Sequence, residues 1–112
     1  MTGALKIDGT DYFIKKPRYD VFLGTGMEHL LNGLGIKPGD TLLLVGVDTD
    51  VSVHYSTSSA PQRDYHVRVA EECCAGTSSE AHNAAMTAIW QMETGARIKL
   101  EDMLRAIAKY KT

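Results

Sequence analysis

Seven residues, Thr41-Leu42-Leu43-Leu44-Val45-Gly46-Val47, constrain this chain more than any other stretch. Six of the seven are apolar or glycine, and they stand between Pro38-Gly39-Asp40 and Asp48. A run this short and this uniformly apolar predicts a strand buried on both faces, the habit of a parallel sheet. The character then changes at once. Asp48, Thr49 and Asp50 are turn and N-cap residues, and Val51, His54, Tyr55 and Ser58 follow at helical spacing. A strand therefore turns sharply into a helix, with Ser52 in the first turn. In open α/β folds that carboxyl end of the sheet is where ligands bind. The first turn also offers free N–H groups and the positive end of the helix dipole. Those groups suit an oxyanion or an activated nucleophile. The same spacing also describes an ordinary strand-to-helix joint, and periodicity alone does not separate the two.

The remaining elements alternate around this run. Asp11-Tyr12-Phe13-Ile14-Lys15-Lys16 is a strand candidate that Pro17 ends. Thr25-Gly26-Met27-Glu28 has the form of a capping box, and Met27, Leu30, Leu31 and Leu34 make one apolar helix face. Gly33 and Gly35 stop that helix. The Gly24-Thr25-Gly26 run lacks the spacing and the lysine of a phosphate loop. The helix after the central run ends near Ala60-Pro61. Tyr65 to Ala70 alternates as a strand, and Glu71 to Gly76 reads as a loop. Thr77-Ser78-Ser79-Glu80 is a second capping box, heading a helix with Ala81, Ala84, Ala85, Ala88, Ile89 and Met92 on one face and Gly95 after it. Arg97 to Leu100 is a last short strand. Leu100, Met103, Leu104, Ile107 and Ala108 form the face of a last helix. Four strand–helix pairs in alternation predict right-handed crossovers and an α/β fold, a three-layer doubly wound parallel sheet.

The 112 residues suit a single domain, 1–112, and a hydrophobic fraction of 44% supports a core. The 12 basic and 14 acidic residues are well mixed, which argues against a nucleic-acid stripe or a polybasic membrane patch. No apolar run is long enough for a bilayer, and the N-terminus lacks a signal-peptide core. The two cysteines, Cys73 and Cys74, are adjacent and cannot staple the fold, so a cytoplasmic setting is the expectation. Glu71 and Glu72 beside them argue for structural thiols of raised pKa. His29, His54, His66 and His82 lie on different elements without metal-ligand spacing, and no metal or other cofactor is expected. His54 stands two residues from Ser52 and points away on a helix, so a Ser–His dyad is not expected.

Four segments together carry a resemblance. Leu44 to Val53 resembles the nucleophile segment of the isochorismatase-like cysteine hydrolases, the superfamily of nicotinamidases, N-carbamoylsarcosine amidases, and biuret and ureidoacrylate hydrolases. Lys16-Pro17-Arg18-Tyr19-Asp20-Val21-Phe22 with Gly24-Thr25 resembles its lysine motif. Asp64 to Ala75 resembles the next strand and its acidic ending, and Glu80-Ala81-His82 the start of the following helix. The resemblance implies an Asp–Lys–Cys triad that cleaves a C–N bond of a small linear amide or ureido compound. It assigns the lysine role to Lys16 and the nucleophile position to Ser52. It makes Val47–Asp48 a candidate cis peptide and the N–H groups of Asp48 and Ser52 oxyanion donors.

Two departures qualify it. A hydroxyl stands at position 52 where the family has a thiol, and without a strong base it leaves the site slow or inactive. The family's base Asp lies on a strand well before the lysine motif, and Asp8 is too near Lys16 to stand for it. The chain thus resembles the C-terminal half of such a hydrolase. With one sheet edge open it is expected to pair, with an N-terminal-half chain or with another copy of itself. The other expectation is a non-catalytic binding or assembly module that keeps the fold.

Overall fold

The structure is a computed structural model, and it describes residues 6–110. Its elements are α1 (Met27–Gly33), β1 (Thr41–Val47), α2 (His54–Ser59), β2 (His66–Ala75), α3 (Ser79–Met92), β3 (Arg97–Ile98) and α4 (Leu100–Tyr110). The three strands are parallel in the order β1-β2-β3. The α/β reading therefore holds, as a three-stranded parallel sheet with flanking helices. Among the described residues, no helix is long and apolar enough to cross a membrane.

Alternation along the strands divides the sheet into two faces. Val67 and Val69 of β2 are fully buried and cluster with Met86 and Ile89 of α3, Leu31 of α1, and Phe22. Leu42 and Leu44 of β1 pack against that cluster. Arg68 of β2 and Leu43 of β1 pair across the register on the other face. There they line a cavity with Ile107 of α4.

Five expectations change. Residues 11–16 form no strand, since they join no ladder among the described residues. The alternation therefore opens on α1. The central run is a strand as expected, but it is not buried on both faces. Its Leu43, Val45 and Val47 are 41%, 55% and 67% exposed, since nothing among the described residues covers that side of β1. β2 runs on through Glu71 to Ala75, where a loop was expected. It does so because Glu71 is held by Arg97 and Lys99 and Glu72 accepts from the Leu100 N–H at 2.9 Å. Cys73 and Cys74 thus lie on the strand. The second capping box is displaced by one residue: Ser78 caps α3, accepting from the Ala81 N–H at 3.0 Å. At α1 the N-cap is Gly26, with no side-chain cap. Thr25 Oγ1 accepts from the Met27 N–H at 3.2 Å instead.

Candidate active site

The site is built at the carboxyl end of β1. Gly46 has φ +141°, a conformation that an L side chain rarely adopts, and glycine takes it without a steric cost. The next peptide bond but one, Val47–Asp48, is cis although no proline is involved. The chain then enters a single π turn, Thr49–Val53, before α2. The Asp48 carbonyl accepts from the N–H groups of Val51 at 3.0 Å and Val53 at 3.2 Å. Ser52 lies between those two donors, in the turn that leaves the sheet.

This turn is tied down from α3 and from the loop before it. Thr49 is fully buried, and its Oγ1 lies 2.7 Å from His82 Nδ1. The Asp50 carboxylate accepts from the Thr77 N–H at 2.9 Å and from the Thr77 hydroxyl at 2.6 Å. The hydroxyl and then the amide hold the Asp50 carboxyl below the usual carboxylate range. Gly76 leaves the room: a Cβ there would meet Asp50 Oδ1 at 2.9 Å and His82 N at 3.0 Å. These contacts are not legible in the sequence. They join residues 27 and 33 positions apart, which no local periodicity reveals.

Lys16 reaches the same turn from the other direction. Its Nζ lies 3.3 Å from Ser52 Oγ across 36 residues of sequence, and 3.4 Å from the Arg18 carbonyl. The loop that carries it is anchored to α2. Ser56 Oγ accepts from the Val21 N–H at 3.0 Å and donates to the Tyr19 carbonyl at 3.4 Å. Phe22 is buried in the core, stacked on Tyr65 with the Arg63 guanidinium 5.0 Å from its ring centroid. Tyr19 stacks on Tyr55 at 5.9 Å. A lysine ammonium in hydrogen-bond range of a hydroxyl stabilises negative charge there, on oxygen or on a sulfur in its place.

The side chains of Arg18, Asp8 and Cys74 have other partners or surroundings. Arg18 spends an N–H on the Pro17 carbonyl at 3.1 Å. Asp8 accepts from the N–H of Thr10 at 2.8 Å in an exposed turn. Cys74 pairs with Gly46 across β1 and β2, and its thiol is pushed up by burial first, with Cys73 a smaller contribution. Burial, rather than the neighbouring glutamates, is the cause.

Residues 1–98 match the isochorismatase domain family. The chain belongs to the isochorismatase family. It is 30% identical over 105 residues to the uncharacterised isochorismatase family protein YecD of Escherichia coli O157:H7, covering 94% of this chain and 54% of that protein. It superposes with a TM-score of 0.84 on an isochorismatase-like hydrolase from Alkaliphilus metalliredigens, at 24% identity over 94% of this chain and 55% of the other. It superposes with a TM-score of 0.67 on the nicotinamidase SaPncA from Staphylococcus aureus, at 33% identity over 78% of this chain and 52% of the other. The chain spans about half the length of these isochorismatase-family relatives.

Proposed function

We propose that this chain carries the nucleophile-and-lysine half of an isochorismatase-like amidohydrolase. Its substrate is a small linear amide or ureido compound, cleaved at a C–N bond. Position 52 supplies the attacking atom, Lys16 stabilises it as an anion, and the N–H groups of Asp48 and Ser52 receive the oxyanion of the tetrahedral intermediate. The base is an Asp from a segment outside this chain, because Asp8 is engaged with Thr10 in an exposed turn. The proximity of Lys16 Nζ to Ser52 Oγ, 3.3 Å across 36 residues, is the observation that supports this reading most directly.

The hydroxyl at position 52 favours a second reading. A serine without a paired histidine is a poor nucleophile at neutral pH, whereas a thiol is already partly ionised. The chain is then a binding or assembly module that retains the turn and has lost the chemistry.

One experiment separates them. Ser52→Cys is combined with a polypeptide that supplies the rest of the fold, including its base Asp. Ammonia release is then followed from nicotinamide, biuret and an N-carbamoyl amino acid. Release from any of these, absent when Lys16→Met is added, supports the hydrolase. No release from the completed assembly supports the module. The protein works with a polypeptide partner, either a complementing chain or a second copy, and in a cytoplasmic setting.

A further inference from the structure

Three contacts in succession tie the turn after β1 to the loop that carries Lys16. Lys16 Nζ lies 3.3 Å from Ser52 Oγ. One helical turn on, the Tyr19 ring stacks on the Tyr55 ring, with centroids 5.9 Å apart and planes 21° from parallel. Beside that stack, Ser56 Oγ accepts from the Val21 N–H at 3.0 Å and donates to the Tyr19 carbonyl at 3.4 Å. Positions 55 and 56 stand three and four residues after 52, the spacing that brings side chains to one helix face. Positions 16, 19 and 21 meet that face in the same order. The loop therefore runs along α2, with Lys16 at the end nearest the sheet.

The stacked pair is not core packing. Tyr19 and Tyr55 are 58% and 55% exposed, so what their contact does is local. The far end of the loop is fixed by Phe22, which is buried against Tyr65. The arm from position 22 back to position 16 reaches about 20 Å when extended, and the arm from position 19 only about 10 Å. A contact at Tyr19 thus halves the reach over which the lysine can stray. It also fixes the carbonyl that aims the lysine. Lys16 Nζ lies 3.4 Å from the Arg18 carbonyl, which belongs to the residue just before Tyr19. A lysine ammonium on its flexible four-carbon stem is otherwise free to turn to water.

We propose that Tyr19 and Tyr55 are positioning residues: their stack holds the lysine loop against α2, so that the Lys16 ammonium stays in hydrogen-bond range of the side chain at position 52. The inference deepens, and rests on, the reading that Lys16 serves position 52. The tyrosines act through Lys16 and the Arg18 carbonyl. The ring faces make the contact, so phenylalanine in place of either tyrosine keeps it. Ser56 anchors the backbone on either side of Asp20, and the stack adds the side-chain contact at Tyr19.

The test reads the thiol of Ser52→Cys in the full chain, without substrate. Its apparent pKa comes from alkylation across pH, with the modified peptide followed by mass spectrometry and the fold checked by circular dichroism. Tyr55→Ala and, from the other side of the stack, Tyr19→Ala each raise that pKa by at least about half of the rise that Lys16→Met produces. Tyr55→Phe leaves it in place. In the Lys16→Met background Tyr55→Ala adds nothing, since both changes act through one ammonium. Trp90→Ala, exposed on α3, moves nothing. If both alanine variants keep the parent pKa while Lys16→Met still raises it, the positioning role is overturned and the proposed function stands. A rise in Tyr55→Ala that persists without Lys16, or one that Tyr55→Phe reproduces, also overturns it. A thiol indifferent to Lys16→Met removes the shared centre, and the positioning role with it. The titration needs no turnover, so a completed assembly that releases no ammonia removes the hydrolase reading alone.

Discussion

Thr49 Oγ1 and His82 Nδ1 lie 2.7 Å apart and join the first residue of the π turn to the first turns of α3. Thr49 is fully buried, so its hydroxyl has no water to fall back on. The position of Ser52 depends on this contact, because Ser52 is three residues further along the same turn. Thr49→Val keeps the shape and removes the hydrogen bond. We expect a loss of about 0.5–1.5 kcal/mol in urea unfolding, with β1 to β3 intact by circular dichroism.

Gly76→Ala tests a close approach on the other side of the turn. The added methyl would stand 2.9 Å from Asp50 Oδ1 and 3.0 Å from His82 N, and the His82 N–H is already committed to the Ser78 carbonyl. The backbone of α3 cannot give way, so the Asp50 carboxylate must move off Thr77. The expected cost is about 1–3 kcal/mol, read from denaturant midpoints. Asp50→Asn in the same background should add less than it costs alone, since the two changes strike one contact.

Much of this fold was legible in the sequence. The run from Thr41 to Val47, the helix beginning at Met27 and the buried pair Ala85 and Ile89 of α3 all follow from local pattern, whereas Met92 of the expected face is exposed and Met86 is buried in its stead. What misled was pattern that depends on a partner. Residues 11–16 have the composition of a strand but no ladder to join. β1 has the composition of a doubly buried strand, yet Val45 and Val47 are exposed because nothing among the described residues covers them. β2 hid its second half because Glu71 and Glu72 look like loop residues until Arg97, Lys99 and the Leu100 N–H come to meet them. At the site, the strand-to-helix turn was readable from spacing. The approach of Lys16 to Ser52 was not, and entered only through the family resemblance. The contacts of Thr49 with His82 and of Asp50 with Thr77 carried no signal, because the partners are distant in sequence.

The Glu71 cluster makes stability depend on pH in a defined direction. Lys99 and then Arg97 hydrogen-bond the Glu71 carboxylate and, against the opposing effect of burial, hold its carboxyl below the usual range. A carboxylate depressed in the folded state adds stability above its unfolded pKa of about 4.3 and loses it as pH falls through the folded value. The parent chain should therefore exceed Glu71→Gln in unfolding free energy near neutral pH. The gap should shrink steadily once the pH drops below about 4. Equal slopes for the two proteins in acid would remove this assignment.

The central claim is that Lys16 and the side chain at position 52 share one reacting centre, and a thiol reports on that without substrate or partner. Ser52→Cys is alkylated with iodoacetamide across pH, and the modified peptide is followed by mass spectrometry so that Cys73 and Cys74 do not interfere. The same titration is run in the Lys16→Met background. The expected apparent pKa lies below the free-thiol value of about 8.5 and rises by about half to one unit when the ammonium is removed, the effect being limited by solvent screening. Superimposable titration curves in the two backgrounds would contradict it.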